Sequence, residues 1–157
     1  MGMLLNRIKI TIEPGFLLYT AILALVIPIR LLLAWYLAVI IHEMGHYTAL
    51  RLLHIQIFAL KVELSGITLL TERIGGLREI VCAAAGPVFG FSILLIADYL
   101  PCTAAFACIH SAYNLLPIYP LDGGRIVRCL FQELKRHQAK IPLKTSITNS
   151  TIIKKLN

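Results

Sequence analysis

The sequence predicts an α-helical integral membrane protein with about four transmembrane helices and a small membrane-associated β-sheet or hairpin on its cytoplasmic side. Three observations carry that prediction. Of the 157 residues, 58% are hydrophobic and the mean hydropathy is +0.79, too apolar for a soluble domain of this size. Four apolar stretches stand out, at residues 15–29, 31–53, 80–99 and 103–119. The basic residues are also unevenly placed. Arg7 and Lys9 precede the first stretch, Arg51, Lys61, Arg73 and Arg78 lie between the second and third, and eight of the fifteen Lys and Arg follow the fourth. Only Arg30 falls on the opposite side, so the positive-inside tendency puts both termini in the cytoplasm and the loop around Asp98 outside.

Residues 7–12 alternate polar and apolar side chains, which predicts a short strand. The first apolar stretch opens with Pro14 and Gly15 and lacks a convincing small-residue cleavage site, so it is expected to be a retained span. It is short for a crossing unless the bilayer thins around it. The second stretch gives a helix of roughly 34 Å, long enough to cross. Lys61 to Leu69 alternate again around Ser65 and Gly66, predicting a hairpin. Together with residues 7–12 it forms a small cytoplasmic sheet whose open edge can hold an extended chain. The competing expectation is an amphipathic loop lying on the membrane. The third stretch carries Ala83, Ala84, Ala85, Gly86 and Pro87, then Gly90. These small residues permit close helix packing, and Gly86 and Pro87 either serve packing alone or shape a cavity.

Beyond Gly124, residues 125–136 predict a basic amphipathic helix with Ile126, Val127, Leu130 and Phe131 towards lipid. Residues 1–136 are expected to form one domain, and 137–157 a basic, disordered tail. The formal charge of +7 fits topology and anionic lipid, and no basic-aromatic pattern suggests nucleic acid. Cys82, Cys102, Cys108 and Cys129 lack metal-site spacing and are expected to be reduced packing residues.

Within the second stretch stands His42-Glu43-Met44-Gly45-His46. On a helix the two histidines share one face and can offer two nitrogens to one zinc ion. Zinc lowers the pKa of a bound water to roughly 7, and an adjacent carboxylate such as Glu43 can take its proton as the water attacks a carbonyl. A bare carboxylate at membrane depth costs about 2.5–3.5 kcal/mol, so a metal or polar cavity is the expected compensation. A two-histidine site needs a third protein ligand. Asp122, in Asn114-Leu115-Leu116-Pro117-Ile118-Tyr119-Pro120-Leu121-Asp122-Gly123-Gly124, lies at matching depth. The prolines break the helix and the glycines permit a sharp turn, so Asp122 can point back to the metal. The same Asp-Gly-Gly sequence also suits an ordinary helix exit.

The two motifs together resemble the site-2 protease family of intramembrane zinc metalloproteases (peptidase family M50), and within it the compact bacterial branch typified by stage IV sporulation protein FB. The resemblance covers about residues 7–128. It implies that His42, His46 and Asp122 bind one zinc ion and that Glu43 activates water. It also implies that Asn114 helps bind substrate or steadies the oxyanion. The implied localisation is a bacterial cytoplasmic membrane, and the implied substrate is a membrane-tethered protein cut near the cytoplasmic face, such as a sporulation sigma-factor precursor. Membrane regulatory proteins would be further partners. Two departures matter. Gly90 stands where members of the family often carry Asn, and there is no sign of the CBS-type regulatory domain frequent in sporulation-type members.

His110 lies one helical turn before Asn114 and suits either an interhelical contact or the same cavity. His54 and His137 fall near membrane boundaries, as interfacial residues would. Two other functions are compatible with parts of the sequence. One is a catalytically silent scaffold that binds client helices, against which the intact Glu43 speaks. The other is a zinc carrier, which would need polar ligands along a transmembrane path where little beyond Asp98 occurs.

Overall fold

The computed structural model describes residues 9–63, 66–136 and 138. In chain order they form β1 (Lys9–Ile12), α1 (Pro14–Val26), α2 (Ile29–Leu52), β2 (Ile57–Glu63), β3 (Gly66–Thr71), α3 (Leu77–Ser92) and α4 (Pro101–Asn114). A 3-10 turn, Ile93–Ile96, prolongs α3, and a last helix, α5, covers residues 122–136. The described residues are therefore mostly helical with one three-stranded sheet. Outside the described residues lie the start of the strand expected from residue 7, Ser65 in the hairpin turn and, apart from Gln138, the tail expected over 137–157.

Helix boundaries follow local chemistry. Pro14 and Pro101 stand in the first turns of α1 and α4, where a missing N–H costs no helical bond. The end of α2 is a Schellman closure. His54 adopts the left-handed conformation with φ 55°, its N–H donates to Arg51 O at 3.1 Å, and the N–H of Ile55 donates to Leu50 O at 2.9 Å. Leu50 and Ile55 are buried in the same apolar cluster, which supplies the hydrophobic contact of that motif. His54, expected only at an interface, therefore has a backbone role.

The sheet has the order β1-β2-β3. β1 runs parallel to β2, with Lys9 opposite Ala59, because the connection between them contains two helices. β2 and β3 form the antiparallel hairpin, longer than the expected stretch, with Leu60 opposite Leu69 and Lys61 opposite Thr68. Among the described residues, β3 has no strand partner on its outer edge.

Helices α2, α3 and α4 pack on one another through small residues. Ala38, Ala104 and Ala107 meet Ile93 in one buried cluster, and Ala49, Leu50, Ile55, Ile57 and Cys82 join α2, α3 and the sheet in another. α1 stands at the side, held in part by Thr20 Oγ1 at 2.6 Å from the Tyr36 hydroxyl and by the edge of Phe16 against Tyr36. None of its residues is buried, and Leu17, Leu18, Ile22, Leu25 and Val26 are exposed.

The four expected spans correspond to α1, α2, α3 with its 3-10 extension, and α4, but with different bounds. Among the described residues one helix, Leu77–Ile96, is long and apolar enough to cross a membrane by length and composition. α1 has 13 residues and α4 has 14. α4 ends at Asn114 instead of reaching residue 119 because Pro117 and Pro120 cannot continue a helical ladder. Pro87, by contrast, lies inside α3, which continues past it.

Candidate metal centre

The middle of α2 brings its two histidines to one side, with ring centroids 4.9 Å apart. Their Nε2 atoms lie 3.2 Å from each other, and Asp122 Oδ2 lies 3.2 Å from His42 Nε2 and 3.1 Å from His46 Nε2. The sequence separation of 80 residues between His42 and Asp122 is closed by the packing of α5 against α3. His42 is 1% and Asp122 6% exposed, so these polar groups converge away from solvent.

This triangle fits a zinc ion. Donors at about 2.0–2.1 Å in tetrahedral directions are separated by about 3.3 Å, close to the three observed edges. The orientation of His46 fits as well. Its Nδ1–H donates to the carbonyl of Cys82 at 2.8 Å, which leaves the Nε2 lone pair facing Asp122 and His42. With the proton of His42 on Nδ1, three lone pairs would be aimed at one point, an arrangement that a cation between them stabilises. The remaining ring nitrogen of His42, Nδ1, is buried without a hydrogen-bond partner among the described residues.

Gly86 makes the approach of α3 possible. A Cβ there would meet His46 Nε2 and lie 2.7 Å from His42 Nε2. Pro87 is fully buried beside it. The place of Asp122 is explained differently from the expected turn. It begins α5, with the N–H of Arg125 donating to Leu121 O at 3.0 Å, and an acidic residue is favoured at a helix start. Gly123 and Gly124 show no positive φ. They are needed because any Cβ on them would strike the backbone of the loop from Leu115 to Tyr119, against which the first turn of α5 lies flat.

Glu43, His42, His46 and Asp122 all line one cavity of about 390 Å³, together with Asn114 and His110. Its other wall includes Ile67, Thr68 and Leu69 of β3. Ligand atoms of His42, Glu43 and His110 lie within 4.8 Å of one another. The His110 ring stands edge-on to His42 at 4.7 Å and to Trp35 at 5.8 Å. Asn114 Nδ2 lies 3.1 Å from both the carbonyl oxygen and Nε2 of His110. Only an amide nitrogen can donate to that carbonyl, so Nε2 of His110 is an acceptor and its proton sits on Nδ1. His110 thus belongs to the cavity, one of its two sequence expectations.

Gly90, one turn beyond Gly86, abuts Ser111, whose buried hydroxyl has no partner among the described residues. A polar side chain thus stands on α4 beside the position where the resemblance leads one to expect Asn on α3. Two residues that sequence reasoning did not connect to the site are Glu79 and Arg125. Arg125 Nη1 lies 3.5 Å from Asp122 Oδ1, and the buried Glu79 pairs with both Arg125 and Arg128. The available sequence signal was the i,i+3 spacing of Asp122 and Arg125. Near them, burial, followed by the hydrogen bond and charge of Glu79, pushes the Cys129 thiol up. All four cysteines are free.

No family model matches the sequence, and no curated protein matches it. A solved structure, the site-2 protease from Methanocaldococcus jannaschii, aligns with a TM-score of 0.67 at 21% sequence identity, covering 85% of this chain and 71% of that one. The two chains share a fold in which α-helices carry a small sheet.

Proposed function

We propose that this chain is an intramembrane zinc metalloendopeptidase that cleaves a membrane-tethered protein near the cytoplasmic face. The observation that carries the reading is the convergence of His42, His46 and Asp122 in a cavity that Glu43 also lines. A fold shared with a site-2 protease supports it, as do the exposed apolar faces of α1 to α4, which suit lipid. His42, His46 and Asp122 would hold a zinc ion that, when bound, would supply polarisation of the scissile carbonyl and a water acidic enough to lose a proton near neutral pH. Glu43 takes that proton and returns it to the departing amine. The Nδ1–H of His110 is a donor available to substrate from the cavity wall, whereas both N–H groups of Asn114 face His110 and leave its Oδ1 to accept from substrate. A substrate helix must unwind first, because its carbonyls are hydrogen-bonded. The outer edge of β3 then pairs with the extended segment.

The finer form of the proposal is a bacterial cytoplasmic membrane, both termini in the cytoplasm, and a client such as a sporulation sigma-factor precursor. It rests on charge placement and on the resemblance to the stage IV sporulation protein FB branch. Anionic lipid under the basic face of α5 and membrane regulatory proteins complete the proposed partners.

Zinc content of the purified chain is the first test. About one ion per chain is expected in the wild type and a sharp loss in His46→Ala and Asp122→Ala. Glu43→Gln should keep its zinc and lose cleavage of co-expressed single-span clients. Folded wild type without zinc, or Glu43→Gln that still cleaves in a background free of other proteases, would sink the assignment. Wild type that captures clients without cutting them would put the scaffold in its place.

A further inference from the structure

Asp122 divides its two oxygens. Oδ2 faces the histidines, whereas Oδ1 faces Arg125 Nη1 at 3.5 Å. A carboxylate can turn about its Cβ–Cγ bond, and a ligand free to do so holds a metal poorly. Arg125 alone is a weak anchor, since a third of its side chain is exposed. Its Nε, however, lies 3.7 Å from Glu79 Oε1, and the same oxygen accepts from Arg128 Nη2 at 3.0 Å. Glu79 is 7% exposed, sits in the first turn of α3 and has no role in the donor set. A carboxylate buried to that degree requires compensation, and two guanidinium groups from α5 provide it. α3 therefore reaches the centre twice, at His46 through the Cys82 carbonyl and at Asp122 through Glu79 and Arg125.

We infer that Arg125, held by Glu79, is a positioning residue that fixes which oxygen of Asp122 faces the two histidines, so that metal affinity depends on the docking of α5 against α3. The inference rests on the zinc reading above through one point only, that Asp122 is a ligand.

The zinc dissociation constant of the purified full chain, measured by competition with a chromophoric chelator, tests it. Arg125→Gln should bind zinc about 10–100-fold more weakly, the range found when partners of metal ligands are removed. Arg125→Lys keeps the charge without the fork and should recover part of that loss. Glu79→Gln should weaken binding in the same direction, and the double variant should be no worse than Arg125→Gln alone, because both act through one contact. The visible spectrum of the cobalt-substituted protein should shift in Arg125→Gln, which a purely structural role would not produce. Zinc affinity per folded chain within about twofold of wild type in Arg125→Gln, with an unchanged cobalt spectrum, overturns the positioning role and leaves the zinc site standing. A wild type that binds no zinc overturns both.

Discussion

Gly86 faces the two imidazoles so closely that its hydrogen is the largest group the position accepts. Overpacking of this kind costs about 1–3 kcal/mol, and here it falls on the atoms that would hold the ion. Gly86→Ala should therefore weaken zinc binding by about ten- to a hundredfold, each tenfold being about 1.4 kcal/mol. Gly75→Ala is the matched control, since nothing lies within 4 Å of a Cβ there. Chelator competition on both variants checks the pair, and equal affinities would mean that the rings move aside at no cost. The convergence of His42 and His46 was legible in the sequence because four-residue spacing on a helix dictates a shared face. Asp122 was legible only as a candidate, since a local Asp-Gly-Gly looks the same at any helix exit. Glu79 was not legible as part of this set. A carboxylate 43 residues before Asp122 acquires meaning only when α5 folds back onto α3.

At the scale of elements, β3 is the part whose proposed role is most open to experiment. In an antiparallel pair, successive residues direct their N–H groups alternately to the partner strand and to the free side. A proline removes one N–H, so a scan through Ile67, Thr68 and Leu69 should give an alternating result. Variants of one parity should lower hairpin stability, and those of the other should raise KM severalfold with little change in kcat. Melting curves and cleavage kinetics on the same set decide it, and a KM that responds equally at all three positions would remove strand addition from the proposal. The strands were foreseeable from alternation at residues 7–12 and 61–69. The parallel pairing of β1 with β2 was not, because register between distant segments is set by the helices that return the chain. The length of α4 was overestimated for a related reason. Hydropathy continues through Leu115, Leu116 and Ile118, while Pro117 and Pro120 end the backbone ladder that hydropathy does not report.

For the whole molecule, a metal held by α2 and α5 would tie together segments 80 residues apart, so stability should depend on it. Free zinc at a hundred times its dissociation constant adds about 2.7 kcal/mol to the native state. For a chain of this size that corresponds to a rise in Tm on the order of 5–10 °C. Chelation should remove the increment in wild type and change nothing in Asp122→Ala, as scanning calorimetry of the detergent-solubilised chain would record. A zinc-independent Tm in wild type would contradict the tie.

The same architecture fixes where a client would be cut. From Leu52, the cytoplasmic end of α2 in the proposed orientation, His46 lies six residues and His42 ten residues back along the helix. At 1.5 Å per residue the centre sits about 9–15 Å inside that end, between a third and half of the way through a hydrocarbon core of about 30 Å. β3 lines the same cavity, so in the proposed orientation an unwound segment would enter from the cytoplasmic side. Cleavage should then fall within the client's apolar stretch, about 6–10 residues from its cytoplasmic end when counted as helix. Mass spectrometry of products from proteoliposomes would locate the bond. Cuts confined to soluble flanking segments would show that the centre does not work at this depth, and cuts nearer the outer end of the stretch would reverse the orientation drawn from the basic residues.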